Sequence, residues 1–150
     1  MSLSFTVSLP VVRESKGGPC KCPDDVLREF GELGQLAQEV LVVLTLDTKN
    51  GVIDRHLVTI GTLNCSLAHP REVFRPAISD NAAAIVLAHP HPSGDPTPSP
   101  EDVRITRQLV EAGRVLEINV ADHVIIGRKR PDGRFDYLSL RESGMVQFSS

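Results

Sequence analysis

The spacing of apolar residues along the chain predicts strands and helices that alternate. Residues 39–46 and 82–88 are almost entirely apolar, as is typical of strands buried on both faces. Residues 52–60 are predicted to return as the partner of the first strand, and residues 118–126 and 135–140 to form a last hairpin. The predicted helices cover three segments: residues 23–33, 70–80 and 100–116.

Two turn signals indicate how neighbouring strands connect. Asn50-Gly51 is a hairpin signal between the first two strands, and Pro131-Asp132-Gly133 is another before the last strand. The resulting order interleaves helices with the strands of a mixed sheet that has a hairpin at each end. The sequence therefore predicts an α/β fold in the α+β sense and not a doubly wound one.

Residues 1–22 are expected to stand apart from the main domain. Residues 5–9 could form an edge strand, and residues 13–21, which include Gly17-Gly18-Pro19, are predicted to be a flexible connector. Residues 23–150 are predicted to form one domain with a single hydrophobic core. Because an exposed edge strand can pair with another chain, a homo-oligomer is one expectation.

Composition and charge argue against several classes of protein. The 150 residues are 41% hydrophobic and 23% charged, with a formal net charge of −3, so no basic face for nucleic acid is expected. No apolar stretch reaches membrane-spanning length, and the N-terminus lacks a secretory pattern, so we expect no membrane contact and a cytoplasmic location. Three cysteines argue against a disulfide framework. We expect Cys20 and Cys22 to be reduced thiols on the solvent side and Cys65 to be a small packing residue near a strand end.

The segment from His89 to Asp102 carries the residues best suited to chemistry. His89 and His91 alternate with prolines that favour extended backbone, so both imidazoles are expected to project from one face of a strand end. Ser99 and Asp102 begin the next helix, and the stiff, proline-rich residues 92–98 are expected to fold it back toward the histidines. Two imidazoles and one carboxylate, with a fourth position left to water, are the usual donor set of catalytic zinc.

Parts of this segment also have plain structural interpretations. Ser99-x-x-Asp102 before an apolar helix is a variant of the capping box, and taken alone that interpretation is the better one. Its occurrence together with His-x-His after an apolar strand favours a zinc site. Of the other histidines, His56 is expected to be exposed, and His123 is expected to be a hydrogen-bonded core residue that could approach the metal.

The spacing of His89-x-His91-Pro92, seven intervening residues and Ser99-x-x-Asp102 resembles the JAMM motif of the MPN/JAB metalloprotease family. Within that family the chain is most similar to the bacterial RadC-like proteins. The closer resemblance is carried by five further segments: Leu46-Asp47-Thr48-Lys49-Asn50, Gly61-Thr62-Leu63-Asn64, His69-Pro70-Arg71-Glu72-Val73-Phe74, Asn81-Ala82-Ala83-Ala84 and Asp122-His123 before Val124-Ile125-Ile126-Gly127. It implies a three-layer, cytidine-deaminase-like architecture in which helices flank a mixed sheet.

The resemblance also implies an activity and its residues. It indicates a zinc-dependent hydrolase, a metallopeptidase or isopeptidase-like enzyme that cleaves an amide bond of a peptide or protein with a metal-activated water. Carried over residue by residue, it makes His89, His91 and Asp102 the zinc ligands and Ser99 the hydrogen-bond donor to the oxyanion. It calls for a glutamate at the start of the first central strand as general base. Glu39 fits this position, and Glu72, on a predicted helix, is the competing candidate.

Two features depart from the RadC-like pattern. Pro90 stands where these proteins commonly have asparagine, so a substrate contact is in doubt, while the extended geometry that permits metal ligation is expected to survive. Residues 1–22 are expected to be too short for the helix-hairpin-helix segment that many RadC-like proteins carry. Two alternative functions stay open at this point: a DNA-repair role, after the historical label of these proteins, and a non-catalytic MPN-type scaffold.

Overall fold

The computed structural model of the chain describes residues 19–30, 39–61 and 69–148, and for Phe30, Glu39 and residues 59–61 it gives the backbone alone. Within these ranges the chain forms three helices and five strands. In chain order the elements are α1 (Pro23–Phe30), β1 (Glu39–Leu46), β2 (Val52–Gly61), α2 (Pro70–Ser79), β3 (Ala84–Pro90), α3 (Pro100–Leu116), β4 (Asn119–Lys129) and β5 (Phe135–Ser139). The strand predicted over residues 5–9 lies outside the described residues.

The strands form one mixed sheet in the order β2-β1-β3-β4-β5. β3 and β4 are parallel and are connected through α3, whereas every other neighbouring pair in the sheet is antiparallel. β3 lies at the centre, and all of its residues are buried, as its apolar sequence predicts. The carboxyl end of a central strand is thus the place from which the histidine segment emerges.

Helices cover both faces of the sheet, which gives three layers. Phe74 of α2 and Leu109 of α3 pack on one side together with Leu87 of β3. Val26 of α1 packs on the opposite side together with Val86 of β3. We call these two sides of the sheet the α3 face and the α1 face. This mixed, α+β arrangement confirms the predicted fold class.

Some local predictions differ from the structure. β3 continues through His89 and Pro90, two residues beyond the apolar run, because its ladder with β4 extends to the pair Pro90 and Ile126. Cys22 is exposed as expected, but Cys20 is not on the solvent side: it is buried in the core of the α1 face, and burial raises its pKa to about 12. Among the described helices, none combines the length and apolar character needed to cross a membrane.

Candidate metal centre

Two imidazoles lie at the carboxyl end of β3. His89 is its second-to-last residue and is only 2% exposed, while His91 follows Pro90 and is partly buried. The backbone N–H of His91 donates to the carbonyl of Ile126 at 2.9 Å, so the chain stays attached to β4 just beyond the strand. The two rings are adjacent, with centroids 4.8 Å apart.

Residues 92–98 fold back as a loop that packs on β4. Gly94, at φ +83°, donates its N–H to the carbonyl of His91, and its own carbonyl accepts from the N–H of Arg128. The loop can approach this closely because Gly127 has no side chain: a Cβ there would lie 2.7 Å from the Gly94 carbonyl oxygen and 2.9 Å from Pro96 Cδ. This contact carries the start of α3 toward the histidines, as the proline-rich spacing predicts.

The first turn of α3 serves as a cap and as part of the site at once. Ser99 Oγ accepts from the Asp102 N–H at 3.1 Å, and Asp102 Oδ2 accepts from the Ser99 N–H at 2.8 Å, which completes a capping box. Asp102 is nevertheless 2% exposed and faces the two imidazoles. The capping and metal-site interpretations of this segment are therefore compatible.

The nitrogen and oxygen atoms of these three side chains converge. His89 Nε2 lies 3.5 Å from Asp102 Oδ1, and His91 Nε2 lies 3.3 Å from Asp102 Oδ2. One ligand atom from each residue can be chosen so that all three lie within 4.8 Å of one another. Two ligand atoms held at about 2.0–2.1 Å from one tetrahedral zinc ion are about 3.3 Å apart, so this donor set fits such an ion.

Hydrogen bonds on the far side of each ring determine which nitrogen carries the proton. His91 Nδ1 lies 2.9 Å from the carbonyl oxygen of Asp95, which can only accept, so the Nδ1–H donates there and Nε2 is the nitrogen that faces Asp102. His89 Nδ1 lies 2.7 Å from His123 Nε2. Burial, followed by the neighbouring His123, holds the pKa of His89 well below its usual range, so this ring is neutral.

Comparison with known proteins agrees with the resemblance of the sequence. The family model of the RadC-like JAB domain matches residues 20–145. The chain belongs to the RadC-like JAB-domain family. Among curated relatives, a UPF0758 protein of Moorella thermoacetica is 50% identical over 144 residues, which cover 95% of this chain and 57% of the relative. A UPF0758 protein of Methanosarcina acetivorans is 42% identical over 136 residues, covering 91% of this chain and 57% of the relative.

A third relative of this RadC-like JAB-domain chain gives the same picture. A UPF0758 protein of Listeria welshimeri is 48% identical over 125 residues, covering 83% of this chain and 53% of the relative. The chain thus spans about half the length of the curated relatives that it matches. The family membership is shown by these matches, and the name that the relatives share states no activity.

The structure describes the two candidates for general base, Glu39 and Glu72, to different extents. Glu39 is the first residue of β1, where its backbone pairs with Gly61, but its side chain lies outside the described part of the structure. Its assignment as general base stays a prediction. Glu72 lies exposed on the first turn of α2, a position typical of a surface carboxylate.

The sequence did not assign His123 to the site, although its contact with His89 places it there. A bulge in the pairing of β3 with β4 falls between Val120 and Asp122 and shifts the side-chain alternation by one residue. Val120 packs in the core of the α3 face, whereas Val124 packs in the core of the α1 face. His123 therefore points to the α3 face, toward His89. Strict alternation from Val120 would have placed His123 on the opposite face.

Proposed function

We propose that this chain is a zinc-dependent hydrolase of the metallopeptidase or isopeptidase type, which cleaves an amide bond. One observation carries the proposal: Nε2 of His89 and Nε2 of His91 both face the buried Asp102 carboxylate, at 3.5 and 3.3 Å, while Nδ1 of each ring bonds elsewhere. Two imidazole nitrogens and a carboxylate that converge in a site largely removed from water are a donor set suited to a cation.

The donor set supports zinc and a catalytic rather than structural role. Two imidazole nitrogens and a carboxylate leave one of four tetrahedral positions for water, as in many zinc hydrolases. A zinc ion bound there would lower the pKa of a water toward about 7 and polarise a carbonyl oxygen. Because His91 is partly exposed, solvent and substrate can reach this side of the centre.

Ser99 is suited to stabilise the oxygen that becomes negative during attack on the amide. Its Oγ accepts from the Asp102 N–H, which leaves the hydroxyl proton for another acceptor. The same capping bonds hold the hydroxyl at the start of α3, next to the ligand carboxylate. A preorganised donor of this kind is typical of an oxyanion site.

Glu39 is proposed as the general base that takes a proton from the attacking water and passes it to the leaving amine. The backbone register supports this assignment. Val42 of β1 lies opposite Ala88 of β3, and the same antiparallel register continued by three residues brings Glu39 opposite His91. The exposed Glu72 on α2 has no comparable support.

The first test measures zinc content and zinc-dependent cleavage of a library of peptides and isopeptides. We expect one equivalent of zinc per chain and cleavage that a chelator abolishes. Glu39→Gln should keep the zinc and lose about 10²–10⁴-fold in rate, since general acid–base catalysis contributes that much. Glu72→Gln is the matched control and should stay at the rate of the unmodified protein. A loss with Glu72→Gln instead would assign the base to α2.

The hydroxyl of Ser99 can be tested separately from its capping function. Glycine is nearly as good an N-cap as serine, so Ser99→Gly should change stability by only a few tenths of a kcal/mol. It should still lower the cleavage rate about 10²–10³-fold with zinc content unchanged, because one oxyanion donor is missing. An unchanged rate would show that the hydroxyl does not act on the substrate.

A further inference from the structure

Behind His89 lies a line of buried polar groups that the proposed chemistry does not use. His123 of β4 and Thr106 of α3 are 2% and 0% exposed, respectively. His89 Nδ1 lies 2.7 Å from His123 Nε2, and His123 Nδ1 lies 2.7 Å from Thr106 Oγ1. Thr106 Oγ1 in turn lies 2.6 Å from the carbonyl oxygen of Asp102. The line begins at one candidate ligand residue and ends at another.

The chemistry of these groups allows one arrangement of protons in the neutral state. A carbonyl oxygen can only accept, so the Thr106 hydroxyl donates to Asp102 and its Oγ must accept from His123 Nδ1–H. His123 Nε2 then carries a lone pair and accepts from His89 Nδ1–H. His89 is left with its lone pair on Nε2, the atom that faces the Asp102 carboxylate.

We propose that Thr106 and His123 form a hydrogen-bond relay that locks His89 in the tautomer able to bind the metal, with His123 as a positioning residue. The relay joins three elements, α3, β4 and β3, so it also fixes the orientation of the His89 ring relative to Asp102. The inference rests on the metal-binding function proposed above for His89. It adds that the metal-free protein already holds His89 in the tautomer and ring orientation that bind the ion.

One further contact agrees with the relay. The Thr106 hydroxyl, one helical turn after Asp102, bonds to the carbonyl of that residue, so the same contact ties the relay to the backbone of a ligand residue. Partners that orient a ligand histidine typically contribute 10–100-fold to metal affinity.

The test begins with the metal-free protein and needs no variant. Nitrogen-15 NMR of the imidazole rings reports which nitrogen is protonated. We expect His89 and His123 both to carry the proton on Nδ1 and a lone pair on Nε2. A His89 ring protonated on Nε2 would overturn the relay. This measurement also separates the two proposals: a wild-type protein that binds no zinc contradicts the proposed function, while the tautomer still tests the relay.

Variants then connect the tautomer with zinc affinity, measured by competition with a chromophoric chelator. His123→Leu removes the acceptor for His89 Nδ1–H and should raise the Kd for zinc about 10–100-fold, with mixed His89 tautomers. His123→Gln keeps an acceptor oxygen and should recover most of that affinity. Thr106→Val keeps the shape of the side chain but removes the hydroxyl that accepts from His123 Nδ1–H, so His123 is no longer held in one tautomer. This variant should weaken zinc binding about tenfold.

A control distinguishes this positioning role from general destabilisation. Val120→Ala removes core volume from the same strand and the same face without touching the relay. It should lower the unfolding temperature and leave both the zinc Kd and the His89 tautomer unchanged. If His123→Leu binds zinc within threefold of the unmodified protein, the relay is wrong. If His123→Leu does not fold, Thr106→Val and the wild-type NMR spectrum give the answer.

Discussion

The candidate metal centre and a second group, formed by Asp54, His56 and Asp80, each bring imidazole and carboxylate atoms within 4.8 Å of one another. We call the second group the β2–α2 cluster. There, His56 Nε2 lies 2.6 Å from Asp80 Oδ2, so the nitrogen that faces the carboxylate carries a proton and donates it. The Thr45 hydroxyl donates to the same oxygen at 2.8 Å. This carboxylate is therefore satisfied by donors of the protein itself.

The metal centre is arranged differently. Its two rings bond through Nδ1 away from the site, to His123 and to the Asp95 carbonyl, and both Nε2 atoms face Asp102. Burial differs as well: the side chain of Asp102 is 2% exposed, against 18% for Asp80. The comparison teaches that residue types alone do not define a metal site. The distinction lies in the hydrogen bonds on the far side of each imidazole, because they determine which ring nitrogen carries the proton.

The largest expected difference between the two clusters is in zinc affinity. Zinc at 100 times its Kd should stabilise the unmodified protein by about 2.7 kcal/mol and raise the unfolding temperature by about 5–11 °C. Asp102→Asn keeps the size of the side chain and an acceptor for the Ser99 N–H but removes the charged ligand. Its zinc affinity should fall more than 100-fold, since mutating a residue that only orients a ligand already lowers metal affinity 10–100-fold. The same zinc concentration should then stabilise the variant by about 0.4 kcal/mol or less.

Asp80→Asn is the matched change in the β2–α2 cluster and should leave the response to zinc intact. Calorimetry with and without zinc measures both variants. Equal loss of the zinc response in the two variants would contradict the distinction between the clusters. Retention of stoichiometric zinc by Asp102→Asn would show that Asp102 is not a ligand.

The same comparison shows what could be predicted from the sequence. Three features of the metal centre are local: the extended His-x-His segment, the cap at Ser99 and the loop of residues 92–98. The residue types and their spacing predict all three. The relay is not local, because it depends on the bulge in β4 that turns His123 to the α3 face. His56 was wrongly expected to be exposed for a similar reason: its partner Asp80 lies 24 residues away, at the end of α2.

The loop of residues 92–98 offers a second test of the difference between the metal centre and the β2–α2 cluster. Gly127→Ala would place a methyl group against the Gly94 carbonyl and Pro96, so the loop must move away from β4. We expect a loss of about 1–3 kcal/mol in stability, as for other overpacked sites. Zinc affinity should also fall about tenfold, because the Asp95 carbonyl that orients His91 belongs to this loop.

Gly133→Ala is the control for the loop variant. Gly133 has φ +87°, but nothing lies within 4 Å of the position of an added Cβ. The substitution should cost about 1–2 kcal/mol through backbone strain and leave zinc affinity unchanged. Urea denaturation and zinc titration of the two glycine variants make the comparison. Equal zinc affinity in both would mean that the loop does not position His91.

The smallest expected effect concerns the β2–α2 cluster alone. His56→Ala removes one of the two donors to the Asp80 carboxylate, and the Thr45 hydroxyl remains. Because the His56 and Asp80 side chains are partly exposed, at 26% and 18%, water can replace much of the lost bond. We expect a loss of about 1 kcal/mol, which corresponds to about 2–4 °C in the unfolding temperature. Zinc stoichiometry should stay at one equivalent per chain, and a fall from two equivalents to one on this substitution would instead identify the β2–α2 cluster as a metal site.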